Sequence, residues 1–192
     1  MAYSSCAGTI SASIQIDCAK PLSGGCTGRA LLVPLSPAPT FAVNASNSLI
    51  IESVTMATGS KMVAIENFGE QPFNGTASAS TADGAVQKHT KTVTFDVPLR
   101  GAGASKSIVD PLTRLARGFV VIYERRDGKY IVVGYESALR VNADGVSMDE
   151  YTKDGVTTIT ASCSQYNYEY ELLDTDAATT QALFETYLAA SI

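Results

Sequence analysis

The 192-residue chain has no tryptophan, a single histidine and only 17% charged residues, where an ordinary soluble domain has about 25%. So few charges leave neutral surface for contacts between subunits. The 19 acidic and 14 basic residues give a net charge of −5, and no cluster of Lys and Arg stands ready to neutralise phosphates. A dedicated nucleic-acid binder is therefore not expected. Long apolar runs are missing too: the longest, 119–123 and 130–135, fall far short of a membrane-crossing helix, so no membrane partner is expected. No basic residue precedes Lys20 and the first residues hold no continuous apolar run, which argues against a secretory signal and for synthesis in a cytoplasm.

Motifs that carry chemistry are equally scarce. Cys6, Cys18, Cys26 and Cys163 lack the paired C-x-x-C spacing of a zinc site and read as separate, mostly buried small residues. A disulfide among the first three is the alternative. His89, between Lys88 and Thr90, has no nucleophile motif beside it, and no G-x-S-x-G elbow occurs. The glycine-rich stretch 100–105 lacks the Lys-Ser/Thr ending of a phosphate loop and reads as a linker. Asp174 and Asp176 precede a helical tail, where acidic residues cap the helix more readily than they hold a cation. Asn44-Ala45-Ser46 and Asn74-Gly75-Thr76 match glycosylation acceptors, an expected accident in a Ser/Thr-rich chain. The expectation is a protein without catalytic residues, cofactor or metal, and not an enzyme.

What the chain does contain is β pattern. The length suits one domain able to bury a core without disulfides, and the pattern predicts an antiparallel β-sandwich or barrel of about eight strands with one short flanking helix and a C-terminal helix. Residues 1–9 read as an extended arm. Residues 10–16 alternate as a first strand. A second strand over 30–35 is expected to be short or at an edge, because Pro34, Pro37 and Pro39 interrupt ladder bonding. Residues 48–56 and 61–68 read as a hairpin about 57–60. Residues 69–86, poor in large apolar groups, read as a long projecting loop that orders on a neighbouring subunit, with plain disorder as the alternative.

The cleanest alternation follows in 87–99, with Val93, Phe95, Val97 and Leu99 on one face and Thr92, Thr94 and Asp96 on the other. Pro98 places the end of this strand at an edge or bulge. Asp110 is placed to cap a short helix, with Pro111 at its first position, Gly118 after it, and Ile108, Leu112 and Leu115 on its apolar side. Asp127-Gly128 then signals a two-residue hairpin turn that pairs Arg126 with Lys129, Arg125 with Tyr130, Glu124 with Ile131, Tyr123 with Val132 and Ile122 with Val133. Two more Asp-Gly turns are expected at 144–145 and 154–155. Residues 156–172 read as one long strand with Tyr166, Tyr168 and Tyr170 on a single face, packed or at an interface, with sugar stacking as the alternative.

The order of these segments carries a resemblance. It consists of D-C-A-K-P-L-S-G-G (17–25), N-S-L-I-I (47–51), T-V-T-F-D-V (92–97), the D-P-L-T-R-L-A-R-G helix (110–118), the 130–139 strand with Gly134, and the final helix. In these the chain resembles structural proteins of tailed phages infecting Bacteroidetes-like bacteria, and more loosely the tail tube family. The resemblance covers most of the chain and includes no diagnostic motif. It implies a virion protein that forms hexameric rings with itself, meets other virion proteins and lets DNA pass without tight binding. A head auxiliary, decoration or neck protein is the alternative within the virion; a carbohydrate- or surface-binding module is the alternative outside it. Candidate contacts between subunits are Arg125, Arg126, Asp127 and Lys129 at the hairpin tip, Phe73 and Asn74 in the projecting loop, and Tyr166, Tyr168 and Tyr170.

Overall fold

The computed structural model describes residues 25–66, 76–80, 88–98, 109–115, 117–149 and 156–191. These form strands β1 (Cys26–Pro34), β2 (Thr40–Val43), β3 (Ile50–Thr55), β4 (Val63–Glu66), β5 (Thr76–Ser80) and β6 (Lys88–Pro98), then helix α1 (Asp110–Arg114). After it come β7 (Phe119–Arg125), β8 (Tyr130–Val133), β9 (Arg140–Asp149), β10 (Val156–Gln165), β11 (Tyr170–Leu172) and helix α2 (Ala177–Ala190). The strands build a seven-stranded sheet in the order β2-β3-β11-β8-β7-β1-β4 and a four-stranded sheet in the order β5-β6-β10-β9. The two sheets form a sandwich and are not closed into a barrel. All pairings are antiparallel except β3 with β11.

The strands β1, β7 and β8 are apolar without interruption because both of their faces are buried. Ala30, Leu32, Phe119, Val121, Ile131 and Val133 face the four-stranded sheet, whose Val93, Phe95, Val97, Ile159, Ala161 and Cys163 meet them. The alternate residues Leu31, Val33, Val120, Ile122, Tyr130 and Val132 form a second cluster with Phe184 of α2. The fold is thus three layers, with the larger sheet in the middle. Leu112 and Leu115 of the α1 region pack at the margin of the first cluster, as expected.

A polar network ties α2 to the middle layer. Glu124, only 7% exposed, accepts hydrogen bonds from Thr27 Oγ1 at 2.6 Å, Arg29 Nε at 2.9 Å and Tyr130 Oη at 3.2 Å. Arg29 Nη2 lies 2.7 Å from the same carboxylate, while its Nη1 reaches Glu185 of α2 at 2.5 Å. The charge that burial would otherwise penalise is held by four donors. At its start α2 is closed by a capping box: Asp176 accepts from the Thr179 N–H at 2.8 Å and Thr179 Oγ1 accepts from the Asp176 N–H at 2.9 Å. Asp176 therefore caps, as its position predicted.

Several expectations need correction. The strand over 30–35 is longer and interior, lying between β7 and β4, because Pro34 is its last residue and Pro37 and Pro39 fall in the following connection. Residues 48–56 and 61–68 supply β3 and β4, but these do not pair; they lie toward opposite ends of the sheet, and the segment joining them buries Met62 on the α2 side. Within the expected projecting loop, 76–80 form edge strand β5 paired with β6. Asp110 is the first residue of α1, not its cap, which is Val109. Residues 144–145 are not a turn but lie inside β9. Between Val141↔Ala161 and Val146↔Ile159, β9 takes five steps where β10 takes two. Gly145 sits in this bulge because a Cβ there would stand 2.3 Å from the Thr160 carbonyl oxygen.

The expected pairing of 119–133 is displaced by one residue. Tyr123 faces Ile131 and Glu124 faces Tyr130, because the loop has three residues, Arg126-Asp127-Gly128, with Gly128 at φ +81°. The Gly128 N–H donates to the Arg125 carbonyl at 3.0 Å and the Arg125 N–H to the Lys129 carbonyl at 2.8 Å, the geometry of a three-residue loop with glycine in the left-handed region. Residues 156–172 are not one strand either: β10 ends at Gln165 and β11 begins at Tyr170 in the other sheet. The expected arm, first strand, Cys6, Cys18, Phe73, Asn74, Leu99, Ile108 and the 154–155 turn lie outside the described residues.

Two stability predictions follow from the buried polar groups. Arg29→Met leaves Glu124 without its cation and is expected to cost about 3 kcal/mol, whereas Glu185→Gln, at the exposed end of the same chain of contacts, should cost under about 1 kcal/mol in urea unfolding. Thr157, 1% exposed, has a buried Oγ1 with no hydrogen-bond partner among the described residues. Thr157→Val is expected to stabilise the protein by about 1 kcal/mol in the same measurement.

Candidate interaction site at the hairpin tip

Where the chain passes from β10 to β11 it must cross from one sheet to the other, and the four residues 166–169 make that crossing. Two side chains brace them. From below, Gln165, 1% exposed, donates through Nε2 to the carbonyls of Asn167 at 2.9 Å and Tyr168 at 3.4 Å. From outside, Glu136 accepts from the Tyr166 N–H and from Asn167 Nδ2, both at 2.5 Å, and from Tyr170 Oη. Burial of the Glu136 carboxyl disfavours its ionised form, but the hydrogen bonds from Tyr170, Tyr166 and Asn167 outweigh this and hold it below the usual carboxylate range. The Tyr170 hydroxyl is correspondingly pushed up, by burial and by that same carboxylate, to about 12.

The three tyrosines therefore do not share a face. Tyr170 is buried at 4% exposure in the α2-side cluster, while Tyr166 and Tyr168 stand out at 54% and 57%. Each exposed ring carries a cation from β6: Lys88 Nζ lies 4.9 Å from the Tyr166 centroid, and Lys91 Nζ 3.7 Å from that of Tyr168. His89 meets Tyr168 edge-on at 5.4 Å, so the lone histidine is half-buried against an aromatic ring. Burial lowers the Lys91 ammonium. Burial also pushes the Cys163 thiol up to about 11 against the opposing effect of Lys91, which makes this free cysteine a poor nucleophile at neutral pH.

Glu169 joins this loop to the hairpin tip. Arg125 Nη1 lies 3.7 Å from Glu169 and its Nη2 3.0 Å from Asp127; Lys129 Nζ lies 3.4 Å from Glu171. Arg126 instead folds back on β1, donating from its backbone N–H to the Gly25 carbonyl and from Nε to the Cys26 carbonyl. Between the tip and β3 lies an open groove of about 420 Å³, floored by Leu49, Ile50 and Ile131. It exists because the larger sheet has seven strands and the smaller only four, so the four-stranded sheet does not cover all of the face it packs on. Asn44, half of a sequence-level glycosylation signal, spends its side chain organising the β2–β3 connection, accepting from the Ser46 and Asn47 N–H groups.

The hairpin tip, Tyr166 and Tyr168 were visible in the sequence as separate features; the Arg125–Glu169 ion pair joins the tip to the loop that carries the two tyrosines, while Arg126 turns away to β1. The roles of Glu136, Gln165, Glu169 and Leu49 were not visible: none stands in a motif that carries chemistry, and Glu136 and Glu169 meet partners 30 or more residues away. No group of three or more His, Cys, Asp or Glu side chains among the described residues is placed to hold a metal ion. Comparison of the chain with family models, curated proteins and solved structures returned no match.

A carboxyl held low by hydrogen bonds contributes stability above its unfolded value, about 4.3, and loses that contribution as the pH falls through its folded value. Protection of the Tyr166 amide from hydrogen exchange is therefore expected to be lost as the pH falls below the usual carboxylate range, while the β7–β8 amides stay protected. In Glu136→Gln the Tyr166 amide should exchange faster already at neutral pH, with no acid step.

Proposed function

We propose that this chain is a structural virion subunit, most nearly a phage tail tube protein, which assembles with its own copies into stacked rings around a DNA conduit. The observation that carries this reading is the edge strand β9. It runs for ten residues at the border of the four-stranded sheet, and among the described residues nothing pairs with its outer side. Val146 on this strand lies opposite the fully buried Ile159 and shares its inward face, yet is 37% exposed. The sandwich core is exposed at Val146, and the unpaired stretch of β9 beyond its bulge leaves backbone groups for a strand or loop from a neighbouring copy.

The outer face of the same sheet supports the conduit. It presents Thr92, Thr94, Asp96, Thr158, Thr160 and Ser162, and its hydroxyls are tied to one another or to acceptors, as in Thr94 with Thr160 at 3.3 Å and Thr158 with Asp96 at 2.6 Å. The same face also carries Arg140, opposite Ser162, so it is the chain's net charge of −5 that disfavours tight phosphate binding. The tip residues Arg125, Asp127 and Lys129 are already engaged within the subunit, so the β9 edge is the stronger contact.

Electron microscopy of the purified protein is expected to show rings or short tubes. Val146→Lys should remain monomeric in sedimentation with an unchanged melting temperature, since the position is already exposed. A wild-type protein that stays monomeric at high concentration removes the reading, and shells decorated without tubes move it to the head.

A further inference from the structure

The groove beside the hairpin tip has the composition of a ligand site, and we infer that it binds a neutral saccharide unit. This goes beyond the assembly reading and does not depend on it. Its floor is apolar, from Leu49, Ile50 and Ile131, and its volume of about 420 Å³ lies within the roughly 300–1,000 Å³ of small-molecule sites. Its rim is polar, and the way its charges are disposed selects the ligand.

Arg125, Lys129, Asp127, Glu169 and Glu171 are arranged as three ion pairs, at 3.0, 3.7 and 3.4 Å. Two cations against three carboxylates leave a net charge of −1, which disfavours a phosphate, sulfate or uronate. The pairing nonetheless leaves hydrogen-bonding capacity in place. Glu171 uses only Oε2 and Glu169 only Oε1 in these contacts, so each carboxylate keeps an acceptor oxygen, while the Arg125 guanidinium keeps donors in its planar fork. Donors and acceptors together on one rim, their charges paired except for one carboxylate in excess, match the vicinal hydroxyls of a sugar. They match neither an anion nor a wholly apolar molecule.

A candidate stacking ring stands one residue along the chain from the groove lining, outside that lining itself. Tyr168, next to Glu169 in the chain, is 57% exposed, and its ring orientation is set in advance by Lys91 at 3.7 Å and His89 at 5.4 Å. Glu136 and Gln165 fix the backbone on which it stands. A ring held this way loses little conformational entropy when the apolar face of a sugar lies on it. Leu49, 37% exposed, flanks the groove on the β3 side. Among the described residues, three of the four exposed large hydrophobic residues, Leu49, Tyr166 and Tyr168, thus belong to the groove or to the loop that carries Glu169.

Titrating the full chain with maltose, cellobiose, lactose and mannobiose, while following backbone amide shifts by NMR, tests the inference. At least one sugar is expected to give saturable shifts at Leu49, Lys129, Tyr168 and Glu171. Tyr168→Ala and Glu171→Gln should each weaken that binding by about tenfold with an unchanged melting temperature. Spermidine and galacturonate serve as charged controls. Absence of saturable shifts with every neutral sugar overturns the inference. So does binding restricted to spermidine or galacturonate, or sugar binding that both variants retain in full.

Discussion

Three strands buried on both faces are the constraint from which the rest of this structure follows. A sheet whose centre reads Val-Val-Ile on one strand and Ile-Val-Val on the next cannot leave either side to water, so it needs two covers of different kinds. The four-stranded sheet supplies one and α2 the other. Because Phe184 lies under α2 against Tyr130 and the Arg29 side chain, the helix is held by packing and by the ion pairs that satisfy Glu124. A single buried carboxylate at the rim of the second cluster thereby links β1, β7, β8 and α2.

The unequal widths of the two sheets have a second consequence. Among the described residues a seven-stranded layer meets a four-stranded one and leaves part of its face open at the groove, and the chain has to cross between layers to build both. The crossing at 166–169 lies beside that uncovered part, which is why one short loop places an exposed aromatic ring next to a charged groove. The Glu136 carboxylate holds the loop in this position through three hydrogen bonds. At the other margin, β9 ends the smaller sheet with an exposed valine on its inward face, and the assembly reading rests on that edge.

How much of this was legible in the sequence differs from element to element. The alternation of Val93, Phe95 and Val97 told truly of a strand with one buried face, because period two is a property of the strand itself. Asp176 as a cap was equally legible, since its partner Thr179 is three residues away. Asp-Gly was a less certain sign. At Asp127-Gly128 it marked a turn, but of three residues where two were expected, and at Asp144-Gly145 the same dipeptide lies in a bulge whose glycine is required by Thr160 on the next strand. The tyrosine row failed because a period-two pattern carries no mark where a strand changes sheets.

By itself, then, the sequence determined that the protein is mainly β, that the segments of β1, β3, β4, β6, β7 and β8 are strands, that a short helix precedes the central hairpin, and that a capped helix closes the chain; each rests on interactions among near neighbours. Only the tertiary structure decided which strands pair, that β3 and β4 are not partners, that the middle layer is covered twice, and that Glu136, Glu169 and Leu49 share a site with the hairpin tip or with Tyr168. Those facts depend on groups tens of residues apart meeting through burial and hydrogen bonding, and neither interaction leaves a local pattern when its two partners are that distant along the chain.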